Sequence, residues 1–229
     1  MASNRGRNRK QSRARRKPGE ALRVAMCCDT RDAPMRERLR GCYQYALERN
    51  WRIHLFRQDN NDEIARVLDT DIDGAIVYDR SRPFQQALKS KGIVCVEMGA
   101  RHLDLSDAAV FMDDDAMVRM MLGHLRSVGF EKFAYCGLAG SHPSAMRAAH
   151  LREHTNGEGR VFEERWRDGE MDIAPLMRWL RALPKPVGVL TFDCNKGARV
   201  LTACRWAGIR VPDEVGVIGI GFNARPMRV

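Results

Sequence analysis

Nine short apolar runs, spaced by longer amphipathic stretches, constrain this chain more than any other feature of its sequence. LRVAMCC (22–28), WRIHLF (51–56), GAIVY (74–78), GIVCVEM (92–98), AAVFM (108–112), KFAYCG (132–137), GRVFEE (159–164), VGVLTF (187–192) and EVGVIGIG (214–221) have the length and apolar continuity of buried strands. Helical patterns over 34–49, 60–70, 83–91, 114–128, 144–155, 171–182 and 195–207 lie between most of them. Parallel strands need crossovers, and crossover helices cover both faces of a sheet. The alternation therefore predicts an α/β chain built on doubly wound parallel sheets.

Turn chemistry divides the chain further. Asp113 to Asp115 suit the positive N-terminal end of the helix they precede, and Gly129 and Gly208 stand where helices should stop. The order helix, Gly stop, strand occurs in LRSVGFEKFAYCG and again in CRWAGIRVPDEVGVIGIG. It predicts two similar lobes, residues 20–128 and 129–229, behind a separate tail of residues 1–19.

The formal charge of +10 is concentrated in that tail, where Arg5, Arg7, Arg9, Lys10, Arg13, Arg15, Arg16 and Lys17 precede any acid. Only about +2 is left for the remainder, an ordinary balance for a globular body. The tail has nothing apolar to bury, so it is expected to stay disordered and to touch nucleic acid weakly, without reading sequence. It lacks the apolar core of a secretory signal, and no run of 18 apolar residues is present to span a membrane. Seven cysteines, never in a C-x-x-C pair and mostly inside apolar runs, read as reduced core residues of a cytoplasmic protein.

Ligands of open α/β sheets bind beyond the carboxyl ends of the strands. The polar residues there are Asp29, Thr30 and Arg31; Asp79, Arg80 and Ser81; Ser141 to Arg147; and the group starting at Asp193. HLREH (150–154) has the spacing of inverted zinc proteases, but the sequence offers no third ligand in a helical context, and two surface histidines on one helix are the expected reading. Asp113 to Asp115 would suit magnesium together with Asp29 and Asp79, yet helix capping accounts for them without an ion. CGLAGS (136–141) fits neither phosphate-binding glycine pattern. Cys194 has no histidine near it in sequence, and Ser141 and Ser144 lack a nucleophile elbow. No catalytic residue, metal or cofactor is expected. Arg and carboxylate side chains at strand ends suit sugar hydroxyls, which points to binding.

LRALPKPVGVLTFDCNKGARVLTACRWAGIRVPDEVGVIGIG (180–221) resembles the second lobe of LacI/GalR-type effector domains, most closely the version in xylose-operon activators of the AraC class. MDDDAMVRMMLGHLRSVGFEKFAYCG (112–137) and RGCYQYALERNWRIHLF (40–56) are similar to other parts of that domain, so the likeness runs over roughly residues 22–223. It implies a fold of the type I periplasmic-binding-protein kind that closes over a small sugar or polyol. Asp29, Thr30, Arg31, Arg147 and Asp193 would be effector contacts. DNA would be met through helix-turn-helix units beyond Val229, the second lobe being cut short there, and a second copy of the chain is a further expected partner. Two departures stand out: Asp193-Cys194 replaces the usual Asn-Asp, and GIGFNA replaces an Asp-rich loop. A degenerate regulator without sugar binding and an enzyme using Asp193, Cys194 or the 113–115 carboxylates remain alternatives.

Overall fold

Each of the nine apolar runs becomes a strand in the computed structural model, which describes residues 20–28, 33–57, 61–78, 82–99, 102–164 and 172–221. The strands are β1 (Leu22–Cys28), β2 (Trp51–Arg57), β3 (Gly74–Val77), β4 (Val94–Glu97), β5 (Ala108–Ala109), β6 (Phe133–Leu138), β7 (Arg160–Glu164), β8 (Val187–Thr191) and β9 (Val215–Gly219). The helices between them are α1 (Ala33–Glu48), α2 (Asn61–Asp69), α3 (Arg82–Ser90), α4 (Asp114–Ser127), α5 (His142–His154), α6 (Ala174–Ala182) and α7 (Cys194–Ala207). The expected tail, the loop Asp29 to Arg31, and Asp79 to Ser81 lie outside the described residues.

The chain divides into two compact units between Met112 and Asp113. Sequence placed the division after residue 128 instead, so α4 changes sides. The reason is packing: Met117, Val118, Met121, Leu122 and Leu125 of α4 belong to the same buried cluster as Phe133, Tyr135 and Leu190.

In the first unit the strand order is β2-β1-β3-β4-β5, and in the second it is β7-β6-β8-β9, with every pairing parallel. The 2-1-3-4 order thus occurs twice, and it is a doubly wound order with a reversal of direction beside the first strand of each sheet.

Alternation along the central strands sorts their side chains to the two faces. In β6, Ala134 and Cys136 join Leu176 and Leu180 of α6 and Val200, Ala203 and Cys204 of α7. Phe133 and Tyr135 face α4 and α5 on the other side. In the first unit Ala25, Cys27, Ala75, Val77 and Cys95 pack with Phe84 and Leu88 of α3 and Val67 of α2. Met26 and Cys28 face Met35 of α1.

Local signals set the helix ends. The Asp113 side chain accepts from Ala116 N at 2.8 Å and starts α4, and Gly208, at φ +71°, ends α7 in the left-handed conformation that glycine adopts without strain.

Candidate functional site

At the carboxyl edge of the second sheet, Arg147 reaches from the second turn of α5 to two other elements. Its Nε donates to Asp114 Oδ1 at 2.8 Å, in the first turn of α4, and its Nη1 donates to the Phe192 carbonyl at 2.8 Å, just past the end of β8. The Phe192 ring lies under the guanidinium, 4.8 Å from Cζ to the ring centroid. Both charged side chains are largely buried, 8% exposed for Arg147 and 17% for Asp114. The two bonds fix the guanidinium plane while Nη2 of Arg147 and Oδ2 of Asp114 have no partner among the described residues. The group presents a donor and an acceptor together, with the Phe192 ring backing the guanidinium, which is the chemistry that recognises adjacent hydroxyls.

Asp193 was expected to face a ligand beside Arg147, and its carboxylate has a structural task. It accepts from Lys196 N at 2.7 Å as the N-cap of α7, satisfying one of the donors a helix leaves unpaired at its start. Arg147 contacts the carbonyl of the preceding residue and takes Asp114 as its acidic partner. Cys194, half-buried, donates its thiol to the Gly221 carbonyl at 3.1 Å.

A second cluster at the same edge was not foreseen. Glu164, the last residue of β7, pairs with buried Lys196 and receives Arg199 Nε at 2.9 Å and Nη2 at 2.5 Å. Burial pushes the Glu164 carboxyl up, but the hydrogen bonds and charges of Lys196 and Arg199 outweigh it and hold it below the usual glutamate range. The clue in the sequence was a glutamate closing an apolar run, at the end of the strand where polar groups gather.

The serine candidates are absorbed by structure. Ser144 Oγ lies 3.2 Å from the Tyr135 hydroxyl and accepts from Leu138 N at 2.8 Å, and Ser141 caps α5. Burial raises the Tyr135 hydroxyl to about 12 despite that contact. A Cβ at Gly137 would lie 2.4 Å from Ser144 Oγ, so only glycine admits this approach.

A concavity of ≈ 850 Å³ opens in the same unit beside Phe133, Arg160 and Val187, the first residues of β6, β7 and β8. That is the amino edge of the sheet, opposite the edge where doubly wound folds hold ligands, and it contains neither Arg147 nor Glu164. In the first unit an apolar groove of ≈ 480 Å³ runs between α1 and the sheet face carrying Ile53, Ile76 and Val96. It offers few polar groups to orient a sugar.

Residues 122–227 match the family described as periplasmic binding protein-like domain. The xylose operon regulatory protein of Escherichia coli (strain K12) is 29% identical over 196 residues, which are 79% of this chain and 49% of that protein. Its namesake in Haemophilus influenzae is 28% identical over 120 residues, 47% of this chain and 30% of that protein. The chain spans about half the length of the first of these relatives. Among solved structures, the xylose-binding transcription activator xylR superposes with a TM-score of 0.74 at 21% identity, over 92% of this chain and 57% of that one. A LacI family transcriptional regulator from Arthrobacter, in complex with lactose, gives 0.68 at 18% identity, over 87% and 77%. The chain therefore has the fold of the periplasmic-binding-protein-like effector domains found in LacI-type and xylose regulators, and its second unit carries the match to that domain family.

Proposed function

We propose that this chain is the effector-binding part of a cytoplasmic, sugar-responsive transcription regulator of the xylose-operon type, and that it binds without catalysing. The observation that carries this reading is the Arg147–Asp114 pair over Phe192, fixed at the carboxyl edge with one donor nitrogen and one acceptor oxygen unpaired. A pentose or related polyol matches it, because vicinal hydroxyls each donate and accept. The similarity to xylose regulators names the same class of ligand. Asp29, Thr30, Arg31 and Asp193 are proposed as further contacts. In the proposed mechanism the sugar binds one arrangement of the two units more tightly and shifts the population towards it, which is ligand-driven lobe closure.

DNA recognition in this proposal belongs to a helix-turn-helix part of the whole regulator, which acts as a pair of copies. The tail from Arg5 to Lys17 adds a sequence-independent contact that weakens steeply with salt.

Thermal unfolding against a panel of pentoses and hexoses tests the reading. A ligand that binds only the folded chain adds about 2.7 kcal/mol at a hundredfold excess over Kd, so a true effector raises Tm in a saturable way. No shift with any sugar overturns it.

A further inference from the structure

The second unit holds a group of metal-ligating side chains that the sugar reading does not use. The histidines of HLREH, His150 and His154, project from one face of α5 towards Asp115 in the first turn of α4. Asp115 Oδ1 lies 2.5 Å from His154 Nε2 and 3.6 Å from His150 Nδ1. Glu153 Oε2 lies 3.3 Å from His150 Nδ1. One ligand atom each from Asp115, Glu153 and His154 falls within 4.8 Å of the others. The ligand missing from the sequence is thus supplied by a different helix.

We propose that Asp115, Glu153 and His154 form the core of a binding site for a first-row divalent transition metal such as zinc, which joins α4 to α5, with His150 at its rim as the fourth ligand. With bonds of about 2.0 Å, tetrahedral ligand atoms stand roughly 3.3 Å apart. His150 stands 3.3 Å from Glu153 and 3.6 Å from Asp115, close to that spacing, the ligand atoms of Asp115, Glu153 and His154 lie within 4.8 Å of one another, and the His154–Asp115 hydrogen bond has to open by roughly 0.8 Å from 2.5 Å as metal takes its proton's place. Two imidazoles with two carboxylates select zinc, cobalt or nickel over magnesium and calcium, which take oxygen ligands.

Charge favours the same occupant. Arg119 engages Asp115 through the other oxygen, Oδ2, at 3.0 Å, so Oδ1 is turned to the histidines. With neutral imidazoles, the two carboxylates and Arg119 leave the group one negative charge to set against a dication. His150 and His154 are about one-fifth to one-quarter exposed, enough to admit an ion. The site stands independently of the sugar reading. It lies on the same two helices that the Asp114–Arg147 pair connects, one position along α4 and one to two turns along α5.

Titration calorimetry of the full chain with zinc chloride, and the absorption spectrum with cobalt(II), test the proposal. One equivalent binds, magnesium chloride gives no heat, and cobalt shows nitrogen and oxygen ligation with no thiolate charge-transfer band. The double variant His150→Gln/His154→Gln binds at least tenfold more weakly. Glu153→Gln, at an exposed position where folding is not at risk, also weakens binding, so the test survives if the double variant fails to fold. Absence of stoichiometric zinc binding, binding unchanged in these variants, or a thiolate band from the cysteines overturns the assignment.

Discussion

Arg147 Nε and Asp114 Oδ1 meet at 2.8 Å although 33 residues separate them in sequence, and the contact joins the start of α4 to α5 at the carboxyl edge of the second sheet. Because both side chains are mostly out of water, losing one strands the other. Arg147→Ala is expected to destabilise the chain by about 3 kcal/mol and to abolish any sugar-induced rise in Tm. Arg147→Lys keeps the charge but cannot engage Asp114 and the Phe192 carbonyl together. It should recover part of the stability and little of the sugar response, as thermal scans with and without ligand would report.

Glu164 gives the chain a pH dependence of known sign. Its carboxyl is held below the ordinary range in the folded state, so its contribution is full above the unfolded value of about 4.3 and is lost as pH falls through the lower folded value. Urea midpoints of the wild type and Glu164→Gln should differ by a constant amount at neutral pH. The gap should close in acid.

Asp193→Ala removes the cap of α7 and should cost about 1 kcal/mol. Asp193→Asn keeps an oxygen for Lys196 N and should cost little. If the carboxylate also meets the effector, the Asn variant keeps its baseline Tm and loses sugar-dependent stabilisation. Equal sugar responses in wild type and Asn variant would leave Asp193 a cap alone.

Two glycines should respond to alanine with opposite signs. A Cβ at Gly216 in β9 would lie 2.5 Å from the Phe130 ring, and the overpacking is expected to cost about 1–3 kcal/mol. Gly123 sits exposed within α4 with nothing inside 4 Å of its Cβ position, so Gly123→Ala should stabilise by about 0.5–1 kcal/mol. Chemical denaturation of the two variants side by side checks both.

Alkylation should favour Cys194 over the buried cysteines. Burial pushes the Cys136 thiol up to about 12 and those of Cys95 and Cys204 to about 11, leaving almost no thiolate at neutral pH. Cys194 is only half-buried at the start of α7. Brief iodoacetamide treatment of the native chain, followed by peptide mass mapping, should find Cys194 modified well ahead of Cys95, Cys136 and Cys204.

The strands and helices were legible in the sequence because each carries its own signal. Apolar continuity marked a buried parallel strand such as VGVLT, Asp113 announced α4, and Gly208 announced the end of α7. These signals act within a few residues, so they survive without knowledge of the fold. The end of the first unit was less legible, since α4 reads as the same helix whichever unit it packs against, and only the burial of Met117, Met121 and Leu125 beside Tyr135 assigns it. Arg147 and Asp193 were visible as polar residues at strand ends, but their partners were not. Sequence alone determined which residues form strands and helices, where the helices start and stop, and that polar groups gather at one edge of the sheet. Tertiary structure decided that Asp114 is the acid paired with Arg147, that Glu164 holds Lys196 and Arg199, and that Asp115 meets His150 and His154. Each of those choices depends on side chains brought together by the β6 and β8 crossovers, and a distance of about 3 Å between residues tens of positions apart has no local signature.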